Sequence, residues 1–440
     1  MVAYSFWIGF RVLLMRPYKY YAGLTSQVAF CATPLRLDSY NRCQFSCEYC
    51  FAATRQGYGR GEALQISNPK SLKERLERVS KGIIRSALDE MIGRNIPFQL
   101  GGMSDPFTKI EKEKGVTLEY LKILKDYNYP VIVSTKSDQV IGKDYLDVIN
   151  GSNIYIRFST TIVSPHLREK IDRGCPPLAD IGFAASVLAN ENIPVCFRFQ
   201  PIIPGHEKSF DEVFEVAKKA NVKHISAEYL KCPIDANRNF GKSLANDLGK
   251  NPIEYYKELG AERYGREYML PLRYRAPWLI EFANKARDNG VTFGFADNDL
   301  LLHSDGQSCC SASDLYLKKA SFFNANIVAL AKSKQYGDLI YFSDYLSRWI
   351  PESSVSTYLN STARLRSLNF EESQWLQYLR EMWLGQYGVF RPDYFDGLEK
   401  TKKVDLNGLP VYVKRKSDFV NRLETSAASS GYLERKVQLN

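Results

Sequence analysis

Short apolar runs alternate with longer amphipathic stretches between about residue 28 and residue 300. Runs rich in β-branched and aromatic residues predict strands, and apolar residues spaced three or four positions apart predict helices. The predicted strands are 28–35, 98–101, 131–135, 155–160, 195–203, 224–229 and 292–296. The predicted helices are 72–92, 117–128, 181–190, 210–219 and 277–289. This alternation predicts a parallel sheet with right-handed crossovers.

The number of βα units predicts an α/β fold, specifically a partial (βα)6 TIM-type barrel over residues 28–300. In such a barrel the active site lies at the carboxyl ends of the strands. Residues 232–272 are polar and show no clear strand pattern, which indicates an insertion into the barrel or a lid over it. Residues 301–425 predict a helical C-terminal region. We expect residues 1–27 to form an N-terminal extension and residues 426–440 a loose tail.

Composition adds a broad class and a hint about partners. The 440 residues are 45% hydrophobic and 25% charged, which predicts a globular chain with one large core. The 59 Lys and Arg residues against 49 Asp and Glu residues leave a net charge of +10, which suits a polyanion such as a nucleic acid. Arg11 interrupts the apolar N-terminal run, so we expect no signal peptide, no membrane span and a cytoplasmic protein.

Cysteines provide the sharpest chemical signal. Of nine cysteines, Cys43, Cys47 and Cys50 lie within eight residues, in the spacing C-x-x-x-C-x-x-C. Three thiolates on one loop can hold three irons of a [4Fe–4S] cluster and leave the fourth iron open. Zinc is a second interpretation, although structural zinc normally takes four ligands and no second pair lies nearby in the sequence. A third interpretation is that the cysteines are buried and bind no metal.

The motif, with Tyr49 directly before Cys50, resembles that of the radical S-adenosylmethionine superfamily. In that superfamily the reduced cluster cleaves S-adenosylmethionine, and the resulting 5′-deoxyadenosyl radical abstracts hydrogen from a substrate. The resemblance therefore implies a [4Fe–4S] cluster, S-adenosylmethionine and a reductant such as flavodoxin or ferredoxin. The protein would supply orientation and exclude competing reactions.

The resemblance also implies cofactor contacts at the strand ends. Gly101 and Gly102 would let the backbone approach the cofactor closely, although a glycine pair also forms tight turns. Arg198 alternates with phenylalanines, so its side chain can point into the barrel, with Glu228 as its expected partner. An outward side chain that faces a helix is the alternative. The predicted cofactor-binding residues are Tyr49, Gly101, Gly102, Ser104, Ser134, Lys136, Ser159, Arg198 and Ile202.

Segments 101–106, 135–137, 159–161 and 201–205 resemble the spore photoproduct lyase-like branch of the superfamily. This branch implies a nucleic-acid substrate, with a cysteine downstream of the cluster as hydrogen donor and a tyrosine in the relay. The sequence has no cysteine between Cys50 and Cys175, so Tyr49, Cys175 and Cys196 are the predicted catalytic residues.

Two other functions remain open. One is a peptide- or protein-modifying radical enzyme, and the other is a non-catalytic iron–sulfur or zinc module. The remaining cysteines also raise the prospect of an auxiliary cluster or metal, with Cys175, Cys232, Cys309 and Cys310 as its ligands. His303 near this pair is expected to be a hydrogen-bonded loop residue rather than a ligand.

Overall fold

A computed structural model describes residues 22–25, 27–54, 63–236, 242–310, 312–348, 374–386 and 390–429. The predictions for the apolar N-terminal run and for residues 430–440 of the tail lie outside these residues. None of the described helices is long and apolar enough to cross a membrane.

The described residues form sixteen strands in four sheets. They are β1 (Ala22–Leu24), β2 (Leu35–Leu37), β3 (Ser46–Cys47), β4 (Phe98–Leu100), β5 (Val131–Thr135), β6 (Ile154–Thr160), β7 (Asp172–Arg173), β8 (Val195–Ile202), β9 (His224–Tyr229), β10 (Cys232–Pro233), β11 (Glu262–Tyr264), β12 (Glu267–Met269), β13 (Thr292–Phe295), β14 (Leu339–Ile340), β15 (Leu398–Val404) and β16 (Pro410–Lys414).

The largest sheet has eight strands in the order β1-β2-β4-β5-β6-β8-β9-β13. Every neighbouring pair from β2 to β13 is parallel, and β1 is antiparallel to β2. Helices connect the parallel strands, which confirms the predicted α/β fold with its partial barrel. These helices are Pro69–Ser80, Ala87–Gly93, Lys109–Lys114, Val116–Asp126, Lys143–Ile149, Pro165–Ile171, Leu178–Asn190, Ser209–Lys219 and Leu272–Asp288.

Most predicted elements lie within a few residues of the observed ones, and two differ for identifiable reasons. The run 28–34 is buried but forms a turn, and its backbone accepts hydrogen bonds from residues 323 and 327, so β2 begins only at Leu35. The predicted helix 72–92 is two helices. Gly82 has a φ of +75°, and the side chain of Ser86 then caps the second helix by accepting a hydrogen bond from the Asp89 N–H.

The segment predicted to lack strands contains a small antiparallel sheet in the order β10-β12-β11, beside helices Lys242–Asp247 and Pro252–Glu258. The C-terminal region contains helices at Ala312–Tyr316, Ile327–Lys332, Phe342–Ser347, Gln374–Leu384 and Asp418–Ser429. It also contains a sheet in the order β14-β16-β15. The lysine-rich strand β15 is mostly exposed on both faces, so its sequence carries little of the alternation that marks a strand.

Candidate active site

The three-cysteine loop follows β2, so it lies at the edge of the sheet where the parallel strands end. Cys47 forms part of β3, which pairs antiparallel with β7 and places Cys47 opposite Asp172. The Glu48 N–H donates to the Ile171 carbonyl oxygen at 2.8 Å, and Glu48 also forms an ion pair with Arg173. These contacts attach the loop to the segment that follows β6.

Cys175 is brought to the same place by a turn. Gly174 has a φ of +82°, and the Cys175 N–H donates to the Asp172 carbonyl oxygen at 3.0 Å. The Cys175 Sγ then lies 3.8 Å from the Cys47 Sγ. Cys47, Asp172 and Cys175 are the one group of three Cys, His, Asp or Glu residues in the described ranges whose donor atoms all lie within 4.8 Å of one another.

Tyr49 and Lys136 surround this group. The Tyr49 hydroxyl donates a hydrogen bond to Asp172 Oδ1, and Lys136 Nζ lies 3.5 Å from Asp172 Oδ2 and 5.4 Å from the centre of the Tyr49 ring. Desolvation and the Asp172 carboxylate raise the pKa of Tyr49 well above its usual value. Desolvation would lower the pKa of Lys136, but the charges of Asp172, Cys47 and Cys175 together outweigh it, so the pKa is raised. At neutral pH the site therefore holds a neutral phenol and a lysine cation.

The motif cysteines fit a thiolate-bound metal centre. Desolvation raises the pKa of Cys43 well above its usual value, with smaller contributions from the nearby carboxylate of Asp105 and the Cys47 thiol. A bound cation would reverse this preference, because metal binding replaces the thiol proton. Thiolate donors select iron–sulfur clusters, zinc and copper over hard cations such as magnesium. The donor set therefore suits the predicted [4Fe–4S] cluster, and zinc as well.

The two glycines after β4, Gly101 and Gly102, have different surroundings. Gly101 has a φ of +87°, and an added Cβ would collide with the Ser134 carbonyl oxygen and lie 2.8 Å from Pro106 Cδ. A Cβ on the exposed Gly102 would meet only Arg36 Cβ, at 3.8 Å, which is an ordinary contact. The fold itself therefore requires Gly101, whereas the described neighbours leave space at Gly102 for a ligand.

Ser104 and Asp105 hold the loop after β4 in place. The Ser104 hydroxyl donates to the Tyr40 carbonyl oxygen, beside the cysteine loop. Asp105 accepts hydrogen bonds from the Thr135 hydroxyl at 2.8 Å and the Lys136 N–H at 2.6 Å. Ser104 is thus engaged in the fold, and its contact with a cofactor stays a prediction.

The barrel interior contains a buried polar network around Arg157. This guanidinium donates to the Ser134 hydroxyl at 2.7 Å, to Gln99 Oε1 at 3.1 Å and to the Cys310 Sγ at 2.9 Å. A hydrogen bond with Cys309 and the Arg157 charge lower the pKa of Cys310, although burial opposes them. The predicted cofactor contact Ser134 therefore points into the barrel and binds an arginine.

Arg198 pairs with Glu228, as the sequence pattern predicts. Arg198 Nη2 donates to Glu228 Oε2 at 3.1 Å, Gln200 Nε2 donates to the same oxygen at 2.5 Å, and Lys231 Nζ lies 2.6 Å from Oε1. Arg198 and Glu228 line a cavity of about 60 Å³ together with Cys31 and Cys309.

The other predicted residues are spread over the barrel. Ser159 donates to the Gln200 carbonyl oxygen at 3.2 Å, and Ile202 is fully buried at the end of β8. Cys196 is buried near the start of β8, at the opposite end of the strand from the cysteine loop. The structure therefore brings Tyr49, Lys136 and Cys175 together at the loop, and Cys196 lies elsewhere.

The four cysteines of the suggested auxiliary site also lie apart. Cys175 contacts Cys47, whereas Cys309 and Cys310 lie beside Arg157 and Cys232 lies in the small sheet. Within the described ranges no metal-ligand group includes Cys232, Cys309 or Cys310. His303 is hydrogen bonded to Asp396 at 2.7 Å, as expected for a loop residue.

Sequence analysis missed Asp172, the carboxylate at the centre of this group. Asp172 is buried, and it contacts Tyr49, Lys136 and the backbone of Cys175. The available signal is the stretch from Gly174 to Pro177, in which a glycine and two prolines predict a turn beside a cysteine.

No protein-family model and no curated protein matches this chain. Solved structures that match include a cysteine-to-serine variant of spore photoproduct lyase, 17% identical, with a TM-score of 0.47 over 62% of this chain and 81% of the other. A second variant of that lyase, with bound AdoMet and dinucleoside spore photoproduct, is 17% identical, with a TM-score of 0.46 over 62% of this chain and 80% of the other. SuiB of Streptococcus suis bound to S-adenosylmethionine is 12% identical, with a TM-score of 0.41 over 68% of this chain and 55% of the other.

Proposed function

We propose that this chain is a radical S-adenosylmethionine enzyme whose [4Fe–4S] cluster is bound by Cys43, Cys47 and Cys50. The observation that carries the proposal is where the motif lies. The loop, the glycine pair and Lys136 follow the ends of three adjacent parallel strands, β2, β4 and β5, so they share one edge of the sheet. This edge is where barrel enzymes place their reacting groups.

The bound cofactors would supply a 5′-deoxyadenosyl radical that abstracts hydrogen from the substrate. The chain's own residues hold and orient them. Gly102 leaves room for a close approach by the methionine moiety. The Lys136 ammonium group, which lies 3.5 Å from Asp172 Oδ2 and donates to the Ser159 carbonyl oxygen at 3.4 Å, would pair with its carboxylate. Tyr49 holds the carboxylate of Asp172 beside the thiols. Cys175 and Cys196 remain the predicted sources of returned hydrogen.

Anaerobic reconstitution tests the proposal. The purified protein is loaded with iron and sulfide and reduced with dithionite, S-adenosylmethionine is added, and 5′-deoxyadenosine is measured by chromatography. We expect the wild type to form the nucleoside and a Cys43→Ala, Cys47→Ala, Cys50→Ala variant to form none. Cys232→Ala, which removes a buried thiol from the small sheet, is the matched control and should behave like the wild type. A wild type that binds no iron contradicts the proposal.

For the substrate we propose a nucleic acid, because three exposed lysines lie close together on one strand. Lys400, Lys402 and Lys403 are exposed on β15 and form no ion pair within the described ranges. The tip of the same hairpin exposes Val404 and Leu406. Neutralising phosphates with three lysines releases counterions, which makes the affinity fall steeply with salt.

The test measures binding to a DNA duplex at several salt concentrations. The plot of log K against log salt has a negative slope, and replacing Lys400, Lys402 and Lys403 with alanine should make it less steep by about 3. The matched control replaces three other exposed lysines, Lys112, Lys114 and Lys122, and keeps the same net charge. Equal slopes in the two variants would contradict the nucleic-acid surface. Absence of salt-dependent binding in the wild type would favour the peptide- or protein-modifying alternative.

A zinc module is the second candidate function, and one distance favours it. Two thiolates on one tetrahedral zinc, with Zn–S bonds of about 2.3 Å, lie about 3.8 Å apart. The Cys47 and Cys175 sulfur atoms are 3.8 Å apart, with Asp172 beside them. Metal analysis of the purified protein distinguishes the two functions, because stoichiometric zinc without iron or sulfide would support the module and contradict the enzyme.

A further inference from the structure

We propose that Cys309 and Cys310 form a redox-active pair inside the barrel, in which a thiolate at Cys310 pairs with Arg157 and hydrogen peroxide converts the pair to a disulfide. The two sulfur atoms lie 4.0 Å apart, and Arg157 Nη1 lies 2.9 Å from the Cys310 Sγ. The Cys309 carbonyl oxygen accepts a hydrogen bond from His224, the first residue of β9. The pair therefore lies at the opposite end of the strands from the three-cysteine loop, and the inference does not depend on a cluster there.

Arg157 needs a counter-ion, because its permanently charged side chain is buried. Its contacts are the Ser134 hydroxyl, the Gln99 amide oxygen and the Cys310 thiol, and within the described ranges no carboxylate forms an ion pair with it. A buried charge without an opposite charge is far more costly than a buried polar group. Among these contacts only the thiol is acidic, so its ionisation would supply the missing negative charge.

The surroundings favour a thiolate at Cys310 over one at Cys309. The Cys309 thiol donates a hydrogen bond to Cys310, which lowers the pKa of Cys310 and raises that of Cys309. The charges of Arg157 and Arg198 also lower the pKa of Cys310, and burial opposes them. The other titratable groups that face the pair are Cys31, Tyr155, Cys196, His224, Asp314 and Lys332.

The oxidation uses one peroxide for each disulfide. The Cys310 thiolate attacks a peroxide oxygen, the O–O bond breaks, and with one proton from solvent the products are a sulfenic acid and water. The Cys309 thiol then displaces the sulfenic hydroxyl group, which forms the S–S bond and releases a second water. Two electrons pass from the sulfur atoms to the peroxide. Cys309 lines the cavity of about 60 Å³, which has room for so small an oxidant.

A disulfide between adjacent residues is strained and therefore reversible. Cα atoms joined by a trans peptide bond are about 3.8 Å apart, which is less than the separation of at least about 4.4 Å in most disulfides. Strained disulfides are readily reduced, so a thiol reductant should restore the pair. Oxidation also removes the negative charge beside Arg157, and we expect the oxidised protein to unfold at a lower temperature.

Mass spectrometry tests the inference in the variant without the three motif cysteines, in which no cluster reacts with peroxide. This parent protein is treated with hydrogen peroxide, unfolded, and blocked with N-ethylmaleimide. Tryptic peptide 288–318 contains Cys309 and Cys310 and no other cysteine. We expect it to lack two hydrogen atoms and carry no blocking group, while Cys232, a buried thiol in the small sheet, is blocked as usual. Two blocked cysteines in peptide 288–318 would overturn the proposal.

Arg157→Gln tests the pairing with the arginine. A thiolate reacts at nearly the same rate between about pH 6 and pH 8, whereas a thiol with the usual pKa of about 8.5 reacts about tenfold faster for each added pH unit. We expect the flat profile in the parent protein and the steep profile in Arg157→Gln, with circular dichroism as the check on folding. Equal profiles in two folded proteins would overturn the pairing.

Two cysteine variants keep the test decisive if the protein does not fold without Arg157. In Cys309→Ser no disulfide forms, so the sulfenic acid should accumulate on Cys310 and be trapped by dimedone. In Cys310→Ser we expect no dimedone adduct on Cys309, which remains a thiol. An adduct on Cys309 and none on Cys310 would overturn the assignment of the thiolate.

Discussion

Alanine substitution of Gly101 or Gly102 separates a glycine that the fold requires from one that the proposed cofactor requires. At Gly101 the φ of +87° costs an L-residue about 1–2 kcal/mol. An added Cβ would also collide with the Ser134 carbonyl oxygen and lie 2.8 Å from Pro106 Cδ, and such overpacking costs about 1–3 kcal/mol. We therefore expect Gly101→Ala to lower the free energy of unfolding by about 2–5 kcal/mol.

Gly102→Ala should behave oppositely. The nearest atom to its added Cβ is Arg36 Cβ at 3.8 Å, so no clash arises. The smaller conformational entropy of the unfolded chain would stabilise the variant by about 0.4–1 kcal/mol. If the methionine moiety approaches this backbone, however, the methyl group should weaken S-adenosylmethionine binding at least tenfold, or about 1.4 kcal/mol.

Urea unfolding followed by circular dichroism measures the stability of both variants, and calorimetry on the reconstituted proteins measures S-adenosylmethionine binding. A Gly101→Ala variant as stable as the wild type would refute the steric argument. Wild-type binding by Gly102→Ala would refute the close approach of the cofactor, and it would leave the fold argument intact.

Three further predictions concern stability. Burial lowers the pKa of His224 to about 4. The stability that neutral His224 contributes is therefore fully present above its unfolded pKa of about 6.5 and is lost as the pH falls towards 4. Between pH 7.5 and pH 5 the wild type should lose about 2 kcal/mol more than His224→Gln, measured by urea unfolding, and parallel pH profiles would contradict this. Asp89→Asn should lower the free energy of unfolding by about 2 kcal/mol at pH 7, because buried Asp89 binds two arginines. This difference from the wild type should shrink below about pH 4, where the carboxylate becomes protonated. A difference that does not change with pH would argue against a charge effect. Arg275→Met should lower the free energy of unfolding by about 3–5 kcal/mol, because it leaves Asp297 and Asp299 buried without the arginine that pairs with them. A thermal unfolding midpoint equal to that of the wild type would contradict this prediction.

Local sequence pattern predicted the parallel part of the fold well. Strands β5 and β9 begin and end at the predicted residues, and the other predicted strands of the sheet, apart from the first, differ by one residue at an end. Fully buried parallel strands are continuous apolar runs, which a short window of sequence can identify. The run 28–34 shows the limit of this argument, because apolar residues indicate burial whether the backbone is a strand or a turn.

The sequence by itself located the three-cysteine loop, because Cys43, Cys47 and Cys50 lie within eight residues and such close spacing predicts a metal-binding loop. Only the tertiary structure decided which cysteine joins the loop. Cys175 and Cys196 were equivalent in the sequence, and the pairing of β3 with β7 places the first beside Cys47 and leaves the second at the far end of β8. The physical reason is that a contact between residues 128 positions apart depends on sheet register and the turn at Gly174, which no local pattern encodes.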